Sequence, residues 1–244
     1  MMKKTLAGLA LLAPWMAAQE PAPGGKIRVL FTYGGHDFER KPMFEMLDGM
    51  TDLAWTRCEL PREMDRLRPG LEKEFDVLLR YDMVPRVSPE QQEAFLELMK
   101  TSGIGLLALH HNLGAHPGWD VYSSIIGGRF IFKPCEIGGR SYPKSGWAHD
   151  QDLKVLVVDR DHPITKGVED FVIHDEVYNN YYAAPDVKLL LKTDHPRNDP
   201  TLAWVKEFGK SRVFYLQLGH DSKAWAHPAF RKILLQGIRW LARR

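Results

Sequence analysis

Short β-like runs that lead into histidine place the strongest constraint on the fold of this chain. There are three of them: residues 27–33 lead into Gly35-His36-Asp37, 105–109 into His110-His111, and 212–218 into Gly219-His220-Asp221. In an open parallel α/β sheet the carboxyl ends of the strands share one edge, and the ligand crevice forms there. We therefore expect imidazoles that are far apart in sequence to converge on one polar site.

The spacing of apolar residues predicts strands and helices in alternation over the first half of the chain. Strands are predicted over 26–33, 53–58, 75–81 and 104–109, and helices over 38–49 and from Ser88-Pro89, where Gln91 completes a capping box. Such alternation favours a parallel sheet with right-handed crossovers. Later strand-like runs, at 154–158, 171–174, 187–192, 201–207 and 212–218, lie close together and predict antiparallel additions before a last helix over 228–243.

Composition excludes several classes of partner. Hydrophobic residues make up 44% of the 244 residues and charged residues 26%, which is typical of a soluble globular protein. The formal net charge of +2 is too small to predict binding to nucleic acid or to an anionic membrane. We expect one domain over 26–244, and an oligomer remains open.

The first residues are typical of an export signal. A basic start, Met1-Met2-Lys3-Lys4, precedes a short apolar stretch that ends in Met16-Ala17-Ala18. That stretch is shorter than the roughly 20 residues that span a bilayer. The sequence predicts a signal peptide over 1–18, a flexible leader over 19–25 and a periplasmic or extracellular mature chain without an integral membrane span; an uncleaved anchor is the alternative.

Two cysteines, Cys58 and Cys135, give little information about redox chemistry. An exported protein can join such a pair, but their separation does not show whether they meet. Without a Cys-x-x-Cys pattern, the sequence predicts no thiolate metal site.

Five segments in this order together resemble the ThuA-like, trehalose-utilisation family: GLLALH at 105–110, IIGGRF at 125–130, DHPITKG at 161–167, DEVY at 175–178 and GKSRVFYLQLGH at 209–220. The resemblance covers roughly residues 26–243. It implies a three-layer αβα sandwich with a flavodoxin-like, mostly parallel sheet, related to class I glutamine amidotransferases. It also implies a link to trehalose, other disaccharides and their keto derivatives.

The amidotransferase nucleophile would be a cysteine in a tight turn after a strand. Here the matching turn holds His110-His111-Asn112. The sequence therefore does not predict a cysteine-dependent glutaminase, and we expect no nucleotide cofactor.

Histidine and carboxylate side chains near the strand ends are the candidate catalytic groups: His110, Glu176 and His220. With His36 added, the same set offers nitrogen and oxygen ligands that suit zinc or another divalent metal. Without a metal, these groups suit general acid and base catalysis. Because neighbours on a strand point to opposite faces, one of His110 and His111 is expected to face the pocket unless the turn reorients them, and the family-like motif favours His110.

Other side chains are candidates for substrate binding: Asp37, His111, Tyr178 and Trp225. Asp37 and Asp221 are also candidate helix caps. The excursion over 112–150 carries His116, Trp119, Trp147 and His149, which suit a lid or a wall on which a sugar stacks.

These features predict an exported carbohydrate-processing enzyme that moves a proton next to a carbonyl of a disaccharide or keto-sugar, as in isomerisation, epimerisation or elimination. Metal-assisted hydrolysis is a second reading. A carbohydrate-binding protein without turnover is the alternative from another class.

Overall fold

The computed structural model describes residues 25–244 of the chain, and the predicted signal peptide lies outside them. The helices are α1 (Arg40–Asp48), α2 (Pro89–Thr101), α3 (Asp120–Ile126), α4 (Ser222–Ala226) and α5 (Pro228–Leu241). The strands are β1 (Ile27–Gly34), β2 (Leu53–Glu59), β3 (Val77–Asp82), β4 (Gly105–Leu109), β5 (Gly128–Arg129), β6 (Cys135–Ile137), β7 (Arg140–Tyr142), β8 (Gly146–Val157), β9 (Phe171–Asn179), β10 (Tyr182–Ala183), β11 (Lys188–Thr193), β12 (Thr201–Phe208) and β13 (Ser211–Leu216).

Nine strands form one sheet, in the order β2-β1-β3-β4-β13-β12-β11-β8-β9. The first five are parallel. Counted along the chain they follow the 2-1-3-4-5 order of one group of doubly wound α/β folds. The other four strands add on antiparallel to one another. The predicted mostly parallel sheet with antiparallel additions is confirmed.

Two hydrophobic cores lie on opposite faces of the sheet, because successive residues of a strand point to opposite sides. On β4, Leu107 and Leu109 pack with α1 and α5. Leu106 and Ala108 pack with α2 and α3 on the other face. The molecule is therefore a three-layer αβα sandwich, as expected.

The hairpin of β8 and β9 brings side chains to the carboxyl edge of the sheet. Only residues 155–157 of β8 pair with β11, whereas β8 pairs with β9 along most of its length. The part of the hairpin over 146–152 and 174–179, here called the ribbon, is therefore paired on one side only. A side-chain bond fixes its position, since the Asp175 carboxylate accepts a hydrogen bond from the backbone N–H of Gly219 beyond β13.

The predicted helix starts are correct where a side chain accepts a hydrogen bond from the backbone N–H groups of the first turn. The capping box of Ser88 and Gln91 is present at the start of α2, and Asp221 caps α4. Asp37 does not cap α1, because that helix begins at Arg40 after Glu39 and not at Phe38. The predicted strand over 154–158 was too short, since β8 begins at Gly146, and α4 was not predicted.

Cys58 is buried, Cys135 is half-buried, and both are free thiols. Within residues 25–244, no helix combines the length and apolarity needed to cross a bilayer.

Candidate acid–base site

Glycine creates the two turns that carry His36 and His220. Gly35 has φ +73° and Gly219 has φ +114°, both in the region that disfavours a side chain. A Cβ at Gly35 would run into the backbone at Met83, and one at Gly219 would contact the Phe230 ring. Each turn therefore requires the glycine that precedes its histidine.

The turn after β4 presents both of its histidines towards the carboxyl edge. His110 adopts φ +52°, a left-handed conformation that is unusual for a residue with a side chain. A 3₁₀ turn over His110–Gly114 follows. This reorientation overrides the alternation of the strand.

Glu176 reaches the same place from the ribbon. Its neighbour Asp175 accepts hydrogen bonds from the backbone N–H groups of Glu176, Gly219 and His220, at 2.8, 2.7 and 3.0 Å. These three bonds tie β9 to the turn after β13. They therefore set Glu176 beside His220.

Three predicted groups converge here: His110, Glu176 and His220. His110 Nε2 lies 3.0 Å from Glu176 Oε2 and 3.2 Å from His220 Nδ1. His220 Nδ1 lies 3.4 Å from the same carboxylate oxygen. The Tyr178 hydroxyl is 3.0 Å from His110 Nε2, and His149 Nδ1 is 3.2 Å from the other oxygen, Oε1, of Glu176.

The hydrogen bonds of His110 fix the orientation of its ring. His110 Nδ1 lies 2.6 Å from the Gln217 carbonyl and must donate to it. Nε2 lies within hydrogen-bond distance of the Tyr178 hydroxyl, at 3.0 Å, and of the Glu176 carboxylate, at 3.0 Å.

The pKa values of the carboxylate and the imidazole beside it move in opposite directions. Burial raises the pKa of Glu176, but hydrogen bonds and charge from His110 and His220 outweigh it and hold that pKa well below its ordinary value. Burial lowers the pKa of His220, but the Glu176 carboxylate outweighs it and raises that pKa. The pair therefore favours carboxylate and imidazolium.

His111 provides a neutral hydrogen-bond acceptor near the same edge. Burial, with the nearby charge of His110 and His36, holds its pKa well below the usual value. Its Nε2 donates to the Tyr81 carbonyl at 3.0 Å. Nδ1 then keeps a lone pair, and no residue of the described chain bonds to it.

Glu176 and His220 line a cavity of about 390 Å³, near the lower end of the size range of ligand pockets, whereas His110 is fully buried and is not part of the lining. Its polar wall is formed by His36, His111, His149, Glu176, Tyr178 and His220. The rest of the lining is apolar and largely aromatic, with Leu113, Phe130, Phe132 and Trp147. A polar floor with an apolar wall suits a ligand that has both hydroxyl groups and C–H faces.

The structure separates three predicted site residues from the converged group. His36 lines the cavity, but its ring stacks on His111 at 4.4 Å between centroids and its ligand atoms lie outside the convergent set. Asp37 is exposed and lies outside the cavity wall. Trp225 is only 1% exposed, and its indole N–H donates to the Gly219 carbonyl at 2.8 Å, so it stabilises the turn that carries His220.

Sequence reasoning missed a buried ion pair behind the site. Arg80 and Asp82 are both 0% exposed and bond in two places, Nε to Oδ1 at 3.0 Å and Nη2 to Oδ2 at 2.6 Å. Arg80 Nη2 also donates to His116 Nε2 at 2.8 Å, and the Asp82 carbonyl accepts from Asn112 at 2.7 Å. The pair therefore anchors the segment that carries His110 and His111. The sequence feature that could have predicted this pair is the presence of two opposite charges, two residues apart, in an otherwise apolar strand.

Comparisons with known proteins identify the same fold. The profile of the family described as ThuA, trehalose utilisation, matches residues 63–241, whereas no curated protein matches the chain. A ThuA-like protein from Parabacteroides merdae superposes with a TM-score of 0.73 at 17% identity, over 89% of this chain and 90% of that one. One from Bacteroides uniformis gives 0.65 at 19% identity, over 93% and 95%.

A β-galactosidase from Bacillus circulans is also similar, with a TM-score of 0.57 at 8% identity over 88% of this chain but 31% of its own. Identities this low show the fold alone. They support the flavodoxin-like, glutamine amidotransferase-like sandwich expected from the sequence.

Proposed function

The chain belongs to the ThuA family, whose described role is trehalose utilisation, and on that premise we propose an exported enzyme that acts on a disaccharide or keto-sugar. Its chemistry is acid–base catalysis at His110, Glu176 and His220. One observation carries the proposal: side chains from three separate segments meet within 3.0–3.4 Å beside a cavity. Polar groups that converge in a concave site are the usual mark of catalysis.

The arrangement suits removal of a proton from a carbon next to a carbonyl. His220 acts as the base in its neutral form, in which Nδ1–H faces Glu176 and Nε2 is the atom that accepts the proton. The C–H electrons then form a C=C bond, and the carbonyl π electrons move onto its oxygen. The Glu176 carboxylate stabilises the imidazolium that results, as a carboxylate does in other catalytic pairs.

Tyr178 supplies a donor for the oxygen that gains charge. Burial and the negative charge of Glu176 raise the pKa of its hydroxyl well above the ordinary value, so it keeps its proton. Returning the proton to the former carbonyl carbon isomerises the sugar, provided that the hydroxyl on the adjacent carbon passes its proton to the enolate oxygen and becomes the new carbonyl. Returning the proton to the original carbon from the other face epimerises the sugar. Loss of an oxygen substituent from the next carbon gives elimination.

A divalent metal, zinc first, fits the same three ligand atoms. Zinc bonds of about 2.0–2.1 Å place neighbouring ligands of a tetrahedral shell about 3.3 Å apart. The observed separations of 3.0, 3.2 and 3.4 Å agree with that spacing. The hydrogen bond from His110 Nδ1 to the Gln217 carbonyl orients the ring as in known metal sites. A bound ion would supply Lewis-acid polarisation of the carbonyl.

Hydrolysis by a conventional glycosidase mechanism and glutaminase chemistry fit less well. A glycosidase needs two carboxylates that flank the bond, but the Asp175 carboxylate is 3% exposed and occupied by three backbone N–H groups. A glutaminase needs a reactive thiolate at its site, but burial raises the pKa of Cys58 to about 12, and neither Cys58 nor Cys135 lines the cavity.

The test is turnover of trehalose, other disaccharides and their 3-keto forms, followed by product detection. We expect product with the wild type and with the surface control Glu45→Gln, and at least a roughly 100-fold lower rate with Glu176→Gln or His110→Ala. Elemental analysis of the same proteins tests the metal, which His110→Ala should deplete. Binding of a disaccharide without turnover by the wild type would favour the non-catalytic alternative, and unchanged rates in both variants would refute the assignment.

A further inference from the structure

Exposed aromatic side chains lie at the mouth of the cavity. Five large apolar residues are exposed within the described chain: Val121, Phe132, Trp147, Val158 and Val172. Only Phe132 and Trp147 of these line the cavity. Trp147 is 58% exposed, which is unusual for a side chain that proteins normally bury.

A chain of ring contacts links Trp147 to His220. The Trp147 ring lies 4.6 Å from His149, and the His149 ring lies 4.4 Å from His220. Side-chain exposure rises along this line, from 7% at Glu176 to 45% at His149. The cavity therefore has an axis, with Glu176 at its floor and Trp147 at its mouth.

Aromatic side chains line the cavity between its floor and its mouth. Trp147 pairs with Tyr178 across the ribbon, so their side chains share one face. The Phe130 ring lies 5.5 Å from Tyr178 and 5.1 Å from Phe132. A ring bound at the mouth would thus meet flat apolar surfaces on one side and solvent on the other.

We propose that Trp147, assisted by Phe132, is the stacking platform for the second ring of a disaccharide whose reacting ring lies against Glu176 and His220. This inference rests on the proposed function. The C–H face of a pyranose is apolar and covers an aromatic ring, while its hydroxyl groups point to water at the rim. A protein partner fits less well, because Val121, Val158 and Val172 lie outside the cavity and do not extend its apolar wall.

The first test separates the effect on KM from the effect on kcat. With 3-ketotrehalose as the probe, Trp147→Ala should raise KM about tenfold, because the second sugar ring loses its apolar contact with the indole. The same variant should leave kcat within about twofold. With 3-ketoglucose, which fills only the floor, the variant should match the wild type. Trp147→Phe should recover most of the loss, and Val172→Ala, exposed on β9, is the matched control.

An unchanged KM for 3-ketotrehalose in Trp147→Ala would overturn the inference, as would an equal loss with both probes. Either result would leave the acid–base site intact, provided that Glu176→Gln is inactive.

A fluorescence titration keeps the two proposals distinguishable. Trehalose or 3-ketotrehalose should change the emission of the wild type, and the change should largely disappear in Trp147→Phe. If the emission change disappears in Trp147→Phe but the wild type forms no product, the stacking platform is supported and the proposed enzymatic activity is refuted. A change of equal size in Trp147→Phe, or no saturable binding of either sugar, would refute the platform.

Discussion

Removal of one charge from the buried pair behind the site should have a large effect on stability. In Asp82→Asn, the Arg80 guanidinium stays 0% exposed and loses its counter-ion. Breaking such a pair from one side costs about 3–5 kcal/mol, because it leaves an uncompensated buried charge. The free energy of unfolding of a domain is only about 5–15 kcal/mol, so Asp82→Asn should keep only a small free energy of unfolding.

The measurement is urea unfolding followed by circular dichroism. We expect a lower midpoint with an unchanged slope, since the surface exposed on unfolding stays the same. A second variant, Arg80→Met/Asp82→Asn, removes both charges and should be more stable than Asp82→Asn alone. Glu45→Gln, which breaks the exposed Lys41–Glu45 pair, is the control and should unfold like the wild type.

Two results would refute this reasoning. A loss below about 1 kcal/mol in Asp82→Asn would mean that Arg80 is not held as a buried charge. A double variant less stable than Asp82→Asn would mean that the guanidinium contributes by packing on Phe95 and Tyr122 more than it costs by its charge.

Two further predictions concern titration and thiol chemistry. His116, whose pKa burial and Arg80 lower to about 3, stays neutral in the folded state, whereas the unfolded state binds a proton below about pH 6.5. The free energy of unfolding should therefore fall as the pH falls. Between pH 6.5 and 4.5, urea unfolding should show that His116→Gln loses roughly 2 kcal/mol less of it than the wild type does. Equal losses in the two proteins would contradict this. Ellman's reagent at pH 8 should react with the half-buried Cys135 alone in the native protein, because burial raises the pKa of Cys58 to about 12. In guanidinium it should react with both thiols. Rapid reaction of two thiols in the native protein would contradict this prediction.

Local patterns were enough to predict the central sheet and its layers. β-like runs with helical segments between them give β1, β3, β4 and β13 within one or two residues at each end. The capping box of α2 follows from chemistry within four residues. These elements depend on contacts that the chain makes nearby, so their pattern is visible in the sequence.

Long-range geometry was not visible in the same way. The ribbon carries Trp147, His149 and Asp152 on β8, and this mixture of aromatic and polar residues resembles a loop until β9 pairs with it. Nothing local predicts the left-handed His110, whose φ of +52° brings its ring to Glu176. His110, Glu176 and His220 could be named from the sequence as candidates that meet, but the conformations of the turns place His36 against His111 instead of among them.

The central claim is that His110, Glu176 and His220 remove a proton next to a sugar carbonyl. The most direct measurement is deuterium incorporation into 3-ketotrehalose in D₂O, followed by proton NMR with limiting enzyme. The account predicts that the wild type exchanges the hydrogen on the carbon next to the carbonyl faster than buffer does, and that Glu176→Gln is slower by at least a factor of about 100. Exchange by Glu176→Gln at the wild-type rate, or no enzyme-dependent exchange at all, would contradict it.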